Sequence, residues 1–231
     1  VSGAVASQRF GHGLGVGDVN GDGRRDIIHK GGWFEQPSTD KETWRARKFT
    51  FTARGGAQMF AYDVDGDGDN DIITSLAAHE FGLAWFEQMK AEGGGIAFKK
   101  HLIMGSTRRE NKYGVVFSEL HATGLHDIDG DGLKDIVTGK TYWSHHKQSP
   151  QWDAGAVVYW FKLTREKGGV DFIPQRADTD SGLGRQVSIG DVNGDGLPDI
   201  VSAGMKGTHA LLHAARKVNA AEYAKAQPKR H

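Results

Sequence analysis

Four strings of nine residues carry side-chain oxygens at positions one, three, five and nine. They are Asp18, Asn20, Asp22 and Asp26; Asp63, Asp65, Asp67 and Asp71; Asp127, Asp129, Asp131 and Asp135; and Asp191, Asn193, Asp195 and Asp199. Position seven, held by Arg24, Asp69, Leu133 and Leu197, adds a backbone carbonyl. This donor set suits a hard cation, since calcium takes about six to eight oxygen ligands in flexible geometry. Glycines at positions four and six admit positive φ, letting a short turn curl around one ion. No histidine or cysteine stands at a ligand position, which disfavours softer metals there. An EF-hand opens with the same string but needs a glutamate at position twelve. Here position twelve is His29, Thr74, Thr138 or Ser202, each within an apolar run. Asp, Asn and Gly also build metal-free turns. Recurrence of one pattern in four places favours about four Ca²⁺ ions, mainly structural, each tying a turn between strands.

A second group of polar residues sits at fixed offsets from these loops. His12, Gln58, His121 and the pair Arg185–Gln186 lie five or six residues before the first loop aspartate. Lys30, His79–Glu80, Lys140 with Tyr142 and His145, and Lys206 follow the strand after each loop. Both sets are placed to converge at one end of a repeat architecture. Single histidines near strand ends are more often turn or surface groups, but the shared offset of His12 and His121 argues against that for these two. The chain has no cysteine, which excludes disulfides and thiol catalysis. No P-loop or G-x-S-x-G string occurs.

The elements that position these residues repeat with them. First loop aspartates are spaced 45, 64 and 64 residues apart, the size of a small β unit. Each loop follows a short alternating segment and precedes an apolar triplet such as Asp-Ile-Ile. An aromatic strand comes next, as in Gly32–Glu35, Leu83–Glu87 and Val157–Phe161, and then a more polar one. The expected fold is all-β: a β-propeller of four-stranded antiparallel blades, four in this chain and open to being part of a seven-bladed ring. The propeller segment spans 1–213, truncated in its last repeat after Leu212, with a short helical or flexible tail over 214–231. Val1–Phe10 makes a poor outer strand to complete that last blade. Fifteen of the 29 acidic residues lie in the loops, leaving 14 against 29 Lys and Arg in the whole chain. Loaded with cations, the molecule would be net basic, yet no basic-aromatic stripe points to nucleic acid. No apolar run approaches a membrane span, and the chain does not begin with Met.

The loops and the strand after each resemble the FG-GAP/VCBS repeats of calcium-dependent propellers, the family that also forms the integrin head. More narrowly, GHGLGVGDVNGDGRRDI, GGWFEQP, ITSLAAHEFGLAWFEQ, FSELHATGLHDIDGDGLKDIVTGKTYWSHH and SGLGRQVSIGDVNGDGLPDIV are similar to the propeller domain of aldos-2-ulose dehydratases and related bacterial VCBS proteins. That resemblance implies a seven-bladed ring and elimination chemistry on keto-sugars such as 1,5-anhydrofructose. On it, His79 or His121 is the base, His12 its partner or a metal ligand, and Lys140 or Tyr142 the acid or enolate stabiliser. Trp33, Trp85 and Trp143 are candidates to stack on sugar, with blade packing the stronger expectation for Trp33 and Trp85. The implied protein is an exported, extracellular or periplasmic, carbohydrate-processing module. A carbon–oxygen lyase and an integrin-like protein-interaction propeller stand as alternatives, and the remaining blades or a partner chain are expected neighbours.

Overall fold

A computed structural model of the chain describes residues 12–143 and 147–231, so Val1–Phe10 and the candidate His145 lie outside the described residues. Each acidic loop connects the first two strands of an antiparallel sheet. In the first sheet β1 (Leu14–Gly17), β2 (Asp26–His29), β3 (Gly32–Glu35) and β4 (Arg45–Lys48) pair in sequence order. The second comprises β5 (Phe60–Tyr62), β6 (Asp71–Ser75), β7 (Leu83–Lys90) and β8 (Ile96–Met104), and a single 3₁₀ turn, Arg108–Glu110, follows it. The third holds β9 (Thr123–His126), β10 (Asp135–Lys140), β11 (Val157–Glu166) and β12 (Gly169–Asp178). The fourth has three strands, β13 (Val187–Gly190), β14 (Asp199–Gly204) and β15 (Gly207–Leu211), before a short helix α1 (Ala220–Ala226). These are propeller blades, the last of them with three strands.

The apolar doublets after the loops have a physical reason. Successive strand residues face opposite sides of a sheet, so a blade between two others must bury both. Ile72 packs with Ile28, Trp33, Phe51 and Phe86 in a core between blades one and two. Its neighbour Ile73 packs with Trp85, Leu120, Ile136 and Phe161 between blades two and three. Ile136 and Val137 divide in the same way, Val137 joining Val158, Leu183 and Ile200 between blades three and four. The end blades differ. On blade one Leu14 and Val16 stay 63% and 59% exposed, on the face opposite Ile28.

The innermost strands abut in the order β1, β5, β9, β13. Met59 N donates to Leu14 O at 3.0 Å, and Thr123 N donates to Gln58 Oε1 at 2.8 Å. Gly15 makes the first junction possible: a Cβ there would stand 2.0 Å from the Met59 carbonyl oxygen. A Cβ on Gly124 would likewise meet Ile189 Cδ1 at 2.6 Å, which sets the spacing of blades three and four. No helix among the described residues is long and apolar enough to cross a membrane.

Candidate functional site

The four loops are built alike. Their glycines have φ between 73° (Gly21) and 95° (Gly68), the left-handed region that the sequence pattern requires. The position-five carboxylates Asp22, Asp67, Asp131 and Asp195 accept the amides of Arg24, Asp69, Leu133 and Leu197 at 2.9, 2.9, 2.9 and 2.8 Å. Asp18, Asp63, Asp127 and Asp191 accept amides of the loop glycines. Carboxylate oxygens of Asp63, Asp65 and Asp71, and of Asp127, Asp129 and Asp135, each come within 4.8 Å of one another. An oxygen-only donor set this close fits a hard divalent ion. Amines meet part of the same charge: Lys162 Nζ bridges Asp129 and Asp131, Arg24 pairs with Asp22, and Arg165 lies 3.7 Å from Asp63. Against the pull of burial, the two aspartates raise the Lys162 pKa well above its usual range.

The ninth-position aspartates do something the spacing did not reveal. Asp26, Asp71, Asp135 and Asp199 are buried, and each spends one carboxylate oxygen on each of two backbone amides. One oxygen accepts from Val19, Val64, Ile128 or Val192 inside the loop, at 2.9–3.0 Å. The other accepts from Gln36, Gln88, Leu163 or His213, at 2.9, 2.7, 2.9 and 2.7 Å. The carboxylate therefore staples the loop to the chain on or beyond the third strand. Burial raises Asp71 and Asp135 to about 7, partly offset by the amide hydrogen bonds.

Three blades also converge on a histidine cluster. His12 enters just before β1, His79 follows β6, and His121 precedes β9. Ring centroids of His79 and His121 lie 4.5 Å apart, and those of His12 lie 5.2 and 5.8 Å from them. Glu119, which the sequence reading passed over, supplies the carboxylate. Its Oε2 is 3.5 Å from His121 Nδ1 and 3.9 Å from His79 Nδ1. Ligand atoms of His79, Glu119 and His121 all fall within 4.8 Å of one another. A tetrahedral ion with bonds near 2.0 Å separates its ligands by roughly 3.3 Å, so this triad needs only a small contraction to hold one. Glu119 is fully buried and sits at φ 65°. A long side chain rarely adopts that conformation, and strain of this kind concentrates at functional sites. Hydrogen bonds from Glu119 N to Glu80 O (3.0 Å) and from His121 N to Glu119 O (2.9 Å) hold the turn. Burial, then the charges of Arg185 and Lys30, lower the His12 pKa.

Other candidates divide. Lys140 is buried with the cluster; burial lowers its pKa, opposed by Glu119 and Asp153, and Nζ donates to Thr141 O at 3.0 Å. Tyr142 turns away, 43% exposed, with Lys206 Nζ 4.4 Å above its ring. Trp33 and Trp85 are core residues, as expected, Trp85 stacking on His101 at 4.3 Å. Trp143 instead lines a cavity of about 290 Å³ beside His121, together with Thr141, Arg185 and Met205.

Fold and loops together define a β-propeller module whose blades each carry an acidic loop. Residues 127–202 match the FG-GAP-like repeat family. The chain is also similar to integrin alpha-3 of Mus musculus, 29% identical over 135 residues, covering 56% of this chain and 11% of that protein.

Proposed function

We propose that this chain is the propeller module of an exported carbohydrate-processing protein, with a metal-assisted keto-sugar lyase centre at its inner rim. The reading is carried by the meeting of His12, His79 and the Glu119–His121 pair from three successive blades. Two imidazoles and a carboxylate are the protein donor set of one class of catalytic zinc site. A bound divalent ion supplies Lewis-acid polarisation of a substrate carbonyl oxygen. His12 stands outside the ligand triad and takes the proton α to that carbonyl. Lys140, beside Glu119, gives the proton with which the β-oxygen departs as water, leaving an enone; proton transfer from His12 back to Lys140 closes the cycle. Tyr142 has no part in this arrangement.

The acidic loops hold calcium in the same reading, through Asp18, Asn20, Asp22 and their counterparts, with the ninth aspartates serving first as staples. Weak extracellular-type sites of this kind fill where calcium is abundant, which supports an extracellular or periplasmic setting. Further blades or a partner chain would cover the exposed face of blade one. A protein-interaction role is the second reading, favoured by the similarity to an integrin alpha chain.

The test uses the full chain. Dialysed against calcium buffer and zinc, it should retain about one zinc, lost in Glu119→Gln and His121→Ala. It should convert 1,5-anhydrofructose to a product absorbing in the ultraviolet, and His12→Ala should keep the zinc but lose the product. No product from the zinc-loaded wild type, with this keto-sugar or with an acidic one, removes the lyase reading. Saturable sugar binding without turnover would make the module a lectin-like one, and no sugar response would favour a protein partner.

A further inference from the structure

The cavity of about 290 Å³ between blades three and four opens directly beside His121. Its volume lies at the small end of ligand sites, enough for one sugar ring rather than a chain. Trp143 forms one wall, half-buried and braced edge-on by Trp152 at a centroid distance of 4.8 Å. Arg185, two residues before β13, also lines it. Gly184 holds that segment tight against β14, since a Cβ there would come within 2.0 Å of Ala203 O. Arg185 is therefore presented by a closely packed backbone.

Charge distinguishes this cavity from an ordinary sugar cleft. Among the described residues, no carboxylate or other acceptor pairs with the exposed Arg185 guanidinium. Lys147 Nζ lies 5.7 Å from the centroid of the Trp143 ring, a second cation next to that wall residue. Lys206, next to the wall residue Met205, is by contrast already paired with Asp180. Among the described residues, no acidic side chain lines the cavity. A neutral sugar would leave the guanidinium's planar fork of donors unanswered, whereas a carboxylate or phosphate matches it with two parallel hydrogen bonds.

We infer that this cavity is the substrate subsite and that it selects an anionic monosaccharide, the acid group held by Arg185 and the ring laid against Trp143. The inference rests on the proposed lyase centre for its function, because His121 forms a wall of the cavity and belongs to the metal triad.

Binding to the full, zinc-loaded chain is measured by calorimetry and by Trp fluorescence, using D-glucuronate, glucose 6-phosphate and glucose as probes. At least one acidic probe should bind about tenfold or more tightly than glucose. Arg185→Gln should bring that probe down to the level of glucose while zinc content stays at the wild-type value, and Arg185→Lys should recover part of the loss. Preference for glucuronate or for glucose 6-phosphate identifies the acid group as carboxylate or phosphate, and either supports the inference. Equal affinity for glucose and both acids, or an Arg185→Gln variant that binds as wild type, overturns it. Enone formation from neutral 1,5-anhydrofructose without any acidic preference would overturn this inference alone. Loss of zinc binding and turnover in the wild type would instead overturn the lyase centre.

Discussion

Replacing Asp135 by Ala separates a staple from a ligand. The Asp135 carboxylate is wholly buried and accepts Ile128 N at 3.0 Å and Leu163 N at 2.9 Å. Ala leaves both amides buried without an acceptor, and each such orphan costs about 1–3 kcal/mol. The expected loss is about 4 kcal/mol, read as a shift in urea unfolding. The measurement belongs at about pH 6 in EDTA. Burial raises the Asp135 carboxyl to about 7, so at that pH the substitution relieves little buried charge and the amide cost is read directly. Asp129→Ala is the paired control. Asp129 is exposed and its partner is Lys162, so in EDTA its removal should cost no more than about 1 kcal/mol. In millimolar calcium the order of sensitivity changes: Asp129→Ala should lose the calcium-dependent stabilisation of loop three, whereas Asp135→Ala is already destabilised without the ion. An Asp135→Ala variant within about 1 kcal/mol of wild type in EDTA would refute the staple. So would an Asp129→Ala variant that is equally damaging there.

Three further outcomes follow from the geometry. Chelation should lower the melting temperature, and calcium at about a hundred times its Kd should restore about 2.7 kcal/mol per linked site; magnesium, which demands stricter octahedral geometry, should restore less. Asp178 is held near 2 because, against its partial burial, Ser181 Oγ and the amides of Ser181, Asp180 and Thr179 stabilise its charge. Its contribution is therefore present above about pH 4 and is lost as pH falls towards 2. Discounted for solvent screening this is about 1 kcal/mol, so Asp178→Ala should flatten the acid limb of a stability–pH profile by that amount. Gly15→Ala should destabilise by about 2–3 kcal/mol in denaturant titration, because its methyl would collide with the Met59 carbonyl; Gly21→Ala, with open space around it, should cost about 1 kcal/mol.

The residues that wrote the fold legibly are those whose reasons are local. Gly21, Gly66, Gly130 and Gly194 announce left-handed turns because no other residue adopts φ near 73–87° as cheaply. Ile72–Ile73 and Ile136–Val137 announce strands buried on both faces. The histidine site was legible only in part. His12 and His121 share an offset from their loops, but Glu119 has no repeated counterpart, and its role depends on a strained turn that no pattern marks. Tyr142 shares a segment with Lys140 yet points elsewhere, since β10 ends at Lys140 and the chain bends immediately after it.

By itself the sequence determined the number of blades, the register of each acidic loop and the oxygen character of its donors. All of these follow from interactions within a few residues, repeated four times. Only the tertiary structure decided that the ninth aspartates are backbone staples, because their second amides lie 10, 17, 28 and 14 residues away. It alone decided that His79 meets the Glu119–His121 pair, for the two come from different blades brought together by the close approach of the inner strands. Spacing along a chain specifies a turn; packing between sheets specifies which turns become neighbours.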